Sequence, residues 1–331
     1  MKPGPTTRLF VLGVLALSVL ASAPFLGSEF LSPALLWTTG PAGPEREILL
    51  VLRFPRVLLA FLAGGSLGVG GLVFQSVFRN PLASPYTLGV ASGAAFGAAL
   101  TVILGLGATA FGPAWQTVGA FAGGLGVMAL VQALGRVAGR GSATLLLAGV
   151  AVSFSCSGAM LFLQYLADFT QTFRLVRWLM GGVATVGYGG LAVAAPLVLC
   201  CLAGVYRLDR EQDLLLLGEE LAAARGVAVE KVVMLLLFLV TVAIGAVVAL
   251  CGPIGFVGLM IPHLCRPLVG PEHRYLVPAT MLTGGGFLVL ADLLGRTLIA
   301  PAELPVGVLT ALLGGPFFLV VLWRSRGSSD R

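Results

Sequence analysis

Hydrolysis of ATP by a phosphate-binding loop requires a lysine directly after a glycine, because its side chain must reach the phosphates from a tight glycine-rich turn. The chain has only Lys2 and Lys231, and neither follows a glycine. It also lacks the His-Glu-x-x-His pattern of zinc proteases. The sequence therefore predicts a protein that does not hydrolyse ATP by this route and has no zinc-protease site.

Acidic residues inside membrane helices mark coupling-ion sites in ion-driven transporters. Here all 14 acidic residues lie between the apolar runs or at their ends. Asp292 is the deepest and stands one helical turn before Arg296, so we expect an intrahelical ion pair.

His263, Cys265 and His273 share one segment, but the remaining ligands of a zinc site are missing, and we predict no metal site.

The elements that carry these residues are predicted to be membrane helices. Hydrophobic residues make up 58% of the 331-residue chain and charged residues only 10%, against about 25% charged residues in soluble domains. So few charges cannot cover a soluble protein of this size, and the apolar runs do not alternate as barrel strands do. The composition predicts an all-α, polytopic helical membrane protein.

Apolar runs that can span the hydrocarbon core, which takes about 20 residues, occur about ten times. They are residues 9–26, 54–78, 88–106, 114–134, 145–166, 187–205, 232–250, 254–268, 276–291 and 306–323. The eighth is short and rich in glycine and proline, so a re-entrant segment is an alternative. The first resembles a signal peptide, but Pro24 disfavours cleavage after Ala23, and we expect a retained helix.

The basic residues predict the orientation of the chain. With the N-terminus inside, 14 of the 20 lysines and arginines fall in cytoplasmic segments and 6 in outer segments. This excess predicts that both termini are cytoplasmic. The longest connections, residues 27–53 and 207–230, are shorter than a small domain of about 50 residues. Residues 1–331 are therefore predicted to form a single transmembrane domain.

Seven segments combine polar residues with helix-breaking glycines and prolines. They are LRFPR at 52–56, QSVFRNPLASP at 75–85, LGVASGA at 88–94, WLMGG at 178–182, LGEELAAARG at 217–226, GPIGFVGLMIPH at 252–263 and AELPVG at 302–307. In this order they resemble the FecCD family, the permease subunits of binding-protein-dependent ABC importers for iron-siderophores, haem and cobalamin. The resemblance extends from about residue 46 to residue 323.

The resemblance implies an architecture and a set of partners. It implies a homodimer of ten-helix subunits in the bacterial inner membrane, with alternating access along the two-fold axis. Two ATP-binding cassette subunits would bind ATP and Mg²⁺ on the cytoplasmic side. A periplasmic or lipid-anchored substrate-binding protein would dock on the outer side, and this chain would bind no cofactor itself.

The inner loop at 207–230 carries the coupling prediction. Glu219 and Glu220 suit the start of a short helix, Arg225 suits its end, and Gly226 suits the left-handed position after it. In the family this place is the coupling helix that inserts into the ATPase, while the alternative is an ordinary surface helix. The predicted coupling residues are Leu217, Gly218, Glu219, Glu220, Leu221, Ala222, Ala224, Arg225 and Gly226.

Three outer arginines are docking candidates by the same resemblance. In the family, arginines matching Arg53, Arg56 and Arg296 pair with glutamates of the binding protein, and the arginine fork suits a carboxylate. The alternative is local pairing, with Glu45 and Glu47 for the first two arginines and with Asp292 for the third, or simple anchoring of the helix ends.

Two segments on the inner side, residues 80–82 and 141–143, are candidates for the cytoplasmic gate of the translocation path, again because the resemblance implies it. The alternative is that Pro81 only ends a helix and that residues 139–141 form a plain turn. The second segment is less polar than the matching stretch of a cobalamin permease. The predicted gate residues are Asn80, Pro81, Leu82, Gly141, Ser142 and Ala143.

The sequence does not distinguish between siderophore, haem and cobalamin, because the predicted lining in spans two, five and ten is neutral. Two other functions stay open at this point. A stand-alone secondary transporter or channel would need a coupling carboxylate in mid-membrane, and a polytopic membrane enzyme would need a catalytic cluster.

Overall fold

The computed structural model describes residues 4–27, 29–37, 43–86, 88–106, 112–138, 142–183 and 187–329. Within these ranges the regular structure is helical. The α-helices are α1 (Pro5–Ser22), α2 (Pro44–Glu47), α3 (Phe54–Val77), α4 (Val90–Ile103), α5 (Gly112–Ala138), α6 (Ser142–Leu166), α7 (Phe169–Leu179), α8 (Gly189–Arg207), α9 (Asp209–Leu217), α10 (Glu219–Ala224), α11 (Val229–Cys251), α12 (Val257–Val269), α13 (His273–Thr297) and α14 (Val306–Ser329). A 3₁₀ turn covers Pro33–Leu36, and a π-helical segment, Ile48–Arg53, joins α2 to α3.

The membrane-spanning pattern agrees with the predicted all-α architecture. Among the described residues, seven helical stretches are long and apolar enough to cross a membrane: α1, α2 to α3, α5, α6, α8, α11 and α13. Three shorter apolar helices are α4, α12 and the first part of α14. Each of the ten predicted spans overlaps one of these helices.

Contacts between distant helices define two ends of the bundle. Arg8 near the start of α1 donates to the carbonyl of Leu268 at the end of α12, and the end of α3 contacts the start of α13. This end, predicted to be cytoplasmic, is called the inner end below. The opposite end, where Arg56 of α3 meets Asp292 of α13, is called the outer end.

The eighth span crosses the bundle rather than re-entering it. At the outer end, the carbonyl of Cys251, the last residue of α11, accepts from the Gly182 N–H, while α12 ends at the inner end beside Arg8. The segment between, residues 252–256, is not helical, and Phe256 adopts a left-handed φ of 66°. Irregular backbone at membrane depth is tolerated where protein surrounds it.

Small residues allow the central helices to approach closely. Gly64 of α3 lies against the backbone of Gly284 on α13, and Gly123 of α5 lies against that of Gly93 on α4. A β-carbon at any of these positions would overlap the neighbouring helix. These close contacts through glycine follow the packing rule for helices in lipid.

One amphipathic helix, α7, was not predicted from the sequence. It starts with a capping box, in which the Asp168 carboxylate accepts from the Gln171 N–H and the Gln171 side chain accepts from the Asp168 N–H. This reciprocal pair is a readable start signal. The helix escaped prediction because it is too short and too polar on one face to resemble a span.

Candidate functional site

The predicted coupling segment consists of two helices, α9 and α10, joined at Gly218. Gly218 has φ 120° and ψ 150°, a backbone conformation that is essentially restricted to glycine. After α10, Gly226 adopts a left-handed φ of 86°, and Val227 N–H donates to the carbonyl of Ala222. This is a Schellman termination, so the predicted short helix and the predicted role of Gly226 are confirmed, while the separate helix α9 was not foreseen.

The coupling segment is anchored by few side chains and exposes apolar ones. Leu215 of α9 is 3% exposed and Ala222 of α10 is completely buried. In contrast, Leu217 is 62% exposed and Leu221 is 58% exposed at the inner end. Exposed apolar side chains on a short anchored helix form a surface that a protein partner can cover.

The first predicted gate segment follows the end of α3. Arg79 has a left-handed φ of 49°, and the Asn80 N–H donates to the carbonyl of Gln75, which closes a Schellman motif with arginine in the glycine position. The Asn80 side chain then accepts from the Leu82 N–H at 2.9 Å. Leu82 is 48% exposed. The segment is thus a defined turn, which agrees with helix termination but does not test a gating role.

The second predicted gate segment is only partly described. Gly141 lies outside the described residues. Ser142 and Ala143 form the start of α6, and their side chains also lie outside the description. The gating role of all six predicted residues therefore stays a prediction.

The outer end contains a cluster of charges around Asp292. The Arg56 guanidinium lies 2.9 Å from Asp292 Oδ1 and 3.0 Å from Glu303 Oε2. Arg296 Nε lies 3.2 Å from Asp292 Oδ2 as an i,i+4 pair, which confirms the predicted intrahelical contact. The Asp292 side chain is 1% exposed and that of Arg296 is 7% exposed. Asp292 therefore neutralises two arginines rather than serving as an unpaired coupling carboxylate.

Arg53 is held by backbone rather than by acidic side chains. Its guanidinium donates to the carbonyls of Pro24, Phe25 and Glu29, the last at 2.9 Å. The suggested pairing of the first two arginines with Glu45 and Glu47 was therefore wrong about the partners. Arg56 is paired instead with acids 236 and 247 residues away, a separation that local sequence cannot indicate.

A buried chain of polar contacts lies at the inner end and was missed in the sequence. His273 Nδ1 lies 2.6 Å from Asp213 Oδ1, and His273 Nε2 lies 2.7 Å from Ser76 Oγ. Burial alone raises the pKa of the Asp213 carboxyl, but the hydrogen bonds and charge of His273 lower it further than burial raises it. The three residues come from α3, α9 and α13, so no local spacing could have connected them.

Two serines, Ser66 and Ser76, have neighbours that resemble those of a hydrolase nucleophile. Neither serine is accessible to a substrate. Ser66 lies in a Gly-x-Ser-x-Gly stretch, but it is inside α3, 1% exposed, and its hydroxyl donates to the Leu62 carbonyl rather than projecting from a sharp turn. Ser76 contacts His273 in a Ser–His–Asp order, yet Ser76 and His273 are completely buried. A nucleophile must reach its substrate, so a hydrolase site is not supported.

The two histidines, His263 and His273, have different contacts. His263 packs edge-on against Phe317 with ring centroids 5.9 Å apart, while His273 binds Asp213 and Ser76. Across the part of the chain that the structure describes, no three His, Cys, Asp or Glu side chains come together as a metal-binding group.

Comparisons with known proteins agree with this architecture. The hemin transport system permease protein HmuU of Yersinia pestis is 41% identical over 319 residues, covering 96% of this chain and 95% of that protein. The cobalamin import system permease protein BtuC of Halobacterium salinarum is 40% identical over 286 residues, covering 84% of this chain and 74% of that protein.

A solved structure has the same fold. A metal-chelate type ABC transporter in an inward-facing conformation superposes with a TM-score of 0.85 at 33% identity, covering 97% of this chain and 99% of that one. The model of the FecCD transport family matches residues 11–324. The chain is a membrane-embedded ABC importer permease and belongs to the FecCD transport family.

Proposed function

We propose that this chain forms the translocation path of an ATP-driven importer, working as a homodimer with two ATP-binding cassette subunits at its inner end. The observation that carries the proposal is the coupling segment, where a buried Ala222 anchors a short helix with Leu217 and Leu221 exposed. The segment lies beside the end of α3, where the predicted gate begins. Movement of α10 can therefore be passed through Gly218 and α9 to the end of α3.

The orientation forms part of the same proposal. The inner end faces the cytoplasm of a bacterial inner membrane, with both termini on that side, because most lysines and arginines lie there. A substrate-binding protein docks at the outer end. Its carboxylates would compete with Glu303 for Arg56, since the Glu303 side chain is 52% exposed while Asp292 is buried.

The proposed cargo is a metal chelate, with haem as the first candidate. The support is the 41% identity to the hemin permease over nearly the whole of both chains. Cobalamin is the second candidate, from the relative that is 40% identical. In such systems the binding protein carries the affinity, so this chain's own residues give little information about the choice.

The test is reconstitution of this chain with an ATPase subunit and a substrate-binding protein of the same import system. The permease alone should hydrolyse no ATP, and the complex in proteoliposomes should import haemin only with ATP and Mg²⁺ present. Parallel assays use cyanocobalamin, a ferric hydroxamate siderophore and molybdate. Import without the ATPase partner would contradict the mechanism, and import of another compound but not haemin would replace the substrate.

A further inference from the structure

His273 connects the coupling segment to the helix that ends at the predicted gate. It is the first residue of α13, is completely buried, and lies between Asp213 of α9 and Ser76 of α3. Asp213 Oδ1 accepts from the His273 backbone N–H at 3.0 Å and from Nδ1–H at 2.6 Å. Because a carboxylate is only an acceptor, Nδ1 carries a proton, and Nε2 on the other side of the ring is hydrogen-bonded to the Ser76 hydroxyl.

The hydrogen bonds on the two sides of His273 differ in strength. The Asp213 side has two hydrogen bonds to a carboxylate, which are the stronger, charge-assisted kind, and they also cap the start of α13. The Ser76 side has a single hydroxyl contact. That hydroxyl has a second acceptor within its own helix, the Leu72 carbonyl at 2.9 Å. Ser76 therefore keeps an acceptor within α3 when it leaves His273, so of the two sides of the histidine this is the one that breaks more easily.

A second contact joins the same two elements. A β-carbon placed on Gly218, the residue that joins α9 to α10, would lie 3.6 Å from Arg79 Nη1. Arg79 itself holds the left-handed position that ends α3. The turn of the coupling segment thus touches the turn before the predicted gate, independently of the histidine.

We propose that Asp213, His273 and Ser76 are positioning residues that transmit movement of the coupling segment to the inner end of α3. Asp213 and His273 keep α9 and the start of α13 together as one body. The Ser76–His273 contact is the one that opens and closes as α3 changes position. This inference rests on the proposed function, in which an ATPase acts on α10.

The test compares two serines of α3 in the reconstituted complex with the ATPase partner. An environment-sensitive fluorophore on an unnatural amino acid at Leu82 reports the surroundings of the predicted gate, with and without ATP and vanadate, and no transported substrate is needed. Ser76→Ala removes the contact to His273. Ser66→Ala is the matched control, because Ser66 is equally buried and its hydroxyl donates to a carbonyl four residues earlier at 2.7 Å.

We expect the nucleotide-dependent fluorescence change to fall at least threefold in Ser76→Ala and to stay at the wild-type value in Ser66→Ala. His273→Asn keeps an amide N–H near the Nδ1 position and loses the group that reaches Ser76, so it should match Ser76→Ala. The double variant should be no worse than either single variant, since both remove the same contact.

Two results would contradict the proposals, and they are distinguishable. A wild-type response that survives in Ser76→Ala, or effects that add in the double variant, would overturn the link alone. Absence of any nucleotide response in wild type, with the ATPase bound, would overturn the proposed function and the link with it.

Discussion

The two ends of the helix bundle use their functional side chains in opposite ways. At the outer end, Arg56 and Arg296 converge on the buried Asp292, and Arg53 is taken up by backbone carbonyls. At the inner end, Leu221 of α10 is 58% exposed on a helix held by few buried side chains. Both regions contain segments that resemble the family, but the basic side chains of the outer one are taken up within the chain, whereas α10 presents an exposed leucine.

The difference shows that a position at a membrane end does not by itself make a residue available to a partner. A basic residue close to a buried acid has a role in the fold, whatever else it does. The outer arginines thus have a structural role in the described state, and docking through them is an additional proposal. Substitutions at both ends of the bundle separate the two roles.

The largest effect is expected for Asp292→Asn. This change leaves Arg56 and Arg296 without their shared carboxylate in a site where Asp292 is 1% exposed. Breaking a buried ion pair on one side costs roughly 3–5 kcal/mol. Thermal unfolding of the purified permease should show a correspondingly large loss of stability.

The control is Glu303→Gln, which removes the exposed partner of the same Arg56. Its side chain is 52% exposed, and exposed ion pairs contribute about 0–1 kcal/mol. Equal losses in the two variants would show that the outer cluster is not organised around Asp292.

The next effect is expected for Leu221→Arg. A charge on the exposed face of α10 should weaken binding of the ATPase partner about tenfold or more, which corresponds to about 1.4 kcal/mol. Membrane insertion should be unaffected because Leu221 is 58% exposed. The measurement is the affinity of the ATPase for the reconstituted permease, together with stimulated ATP hydrolysis.

The matched control for that change is Thr7→Arg, which adds the same charge at an exposed inner-end position in α1. It should leave ATPase binding at the wild-type level. If both variants lose affinity equally, the effect is one of general charge, and α10 is only a connector.

The smallest effect is expected for Arg56→Lys. Lysine keeps the charge but not the fork that binds two acids at once, so stability should fall by about 1–2 kcal/mol. Steering of a binding protein depends on charge, so the salt dependence of its affinity should be unchanged. A steeper or shallower salt slope without loss of stability would assign Arg56 to docking alone.

Reversal of Arg53, Arg56 and Arg296 to Glu tests docking directly. If they dock, affinity for the binding protein should collapse at low salt and recover partly at 1 M salt, where the Debye length is about 3 Å. The stability of the triple variant must be measured in parallel, since the reversal also removes the contacts to Asp292. Equal affinities and equal salt slopes in a folded variant would leave only the structural role.

Much of the fold was predictable because its signals are local. All ten spans follow from runs of apolar residues, and the ending of α10 at Gly226 follows from the order of Glu219, Arg225 and Gly226. What could not be predicted depends on residues far apart in the chain. Arg56 and Asp292 are 236 residues apart, and Ser76 and His273 are 197 apart, so their pairing appears only after the helices have packed.

The most direct measurement is site-specific photo-crosslinking in the assembled complex. A photoreactive amino acid is placed at Leu221 on α10, at Thr7 elsewhere on the inner end, and at Glu303 on the outer end. We predict an adduct with the ATPase from Leu221 and none with the ATPase from Glu303, while Thr7 gives a weaker adduct or none. A complex in which the ATPase co-purifies with the permease but forms no adduct with Leu221 would contradict the central claim that α10 is the contact through which the transporter is driven.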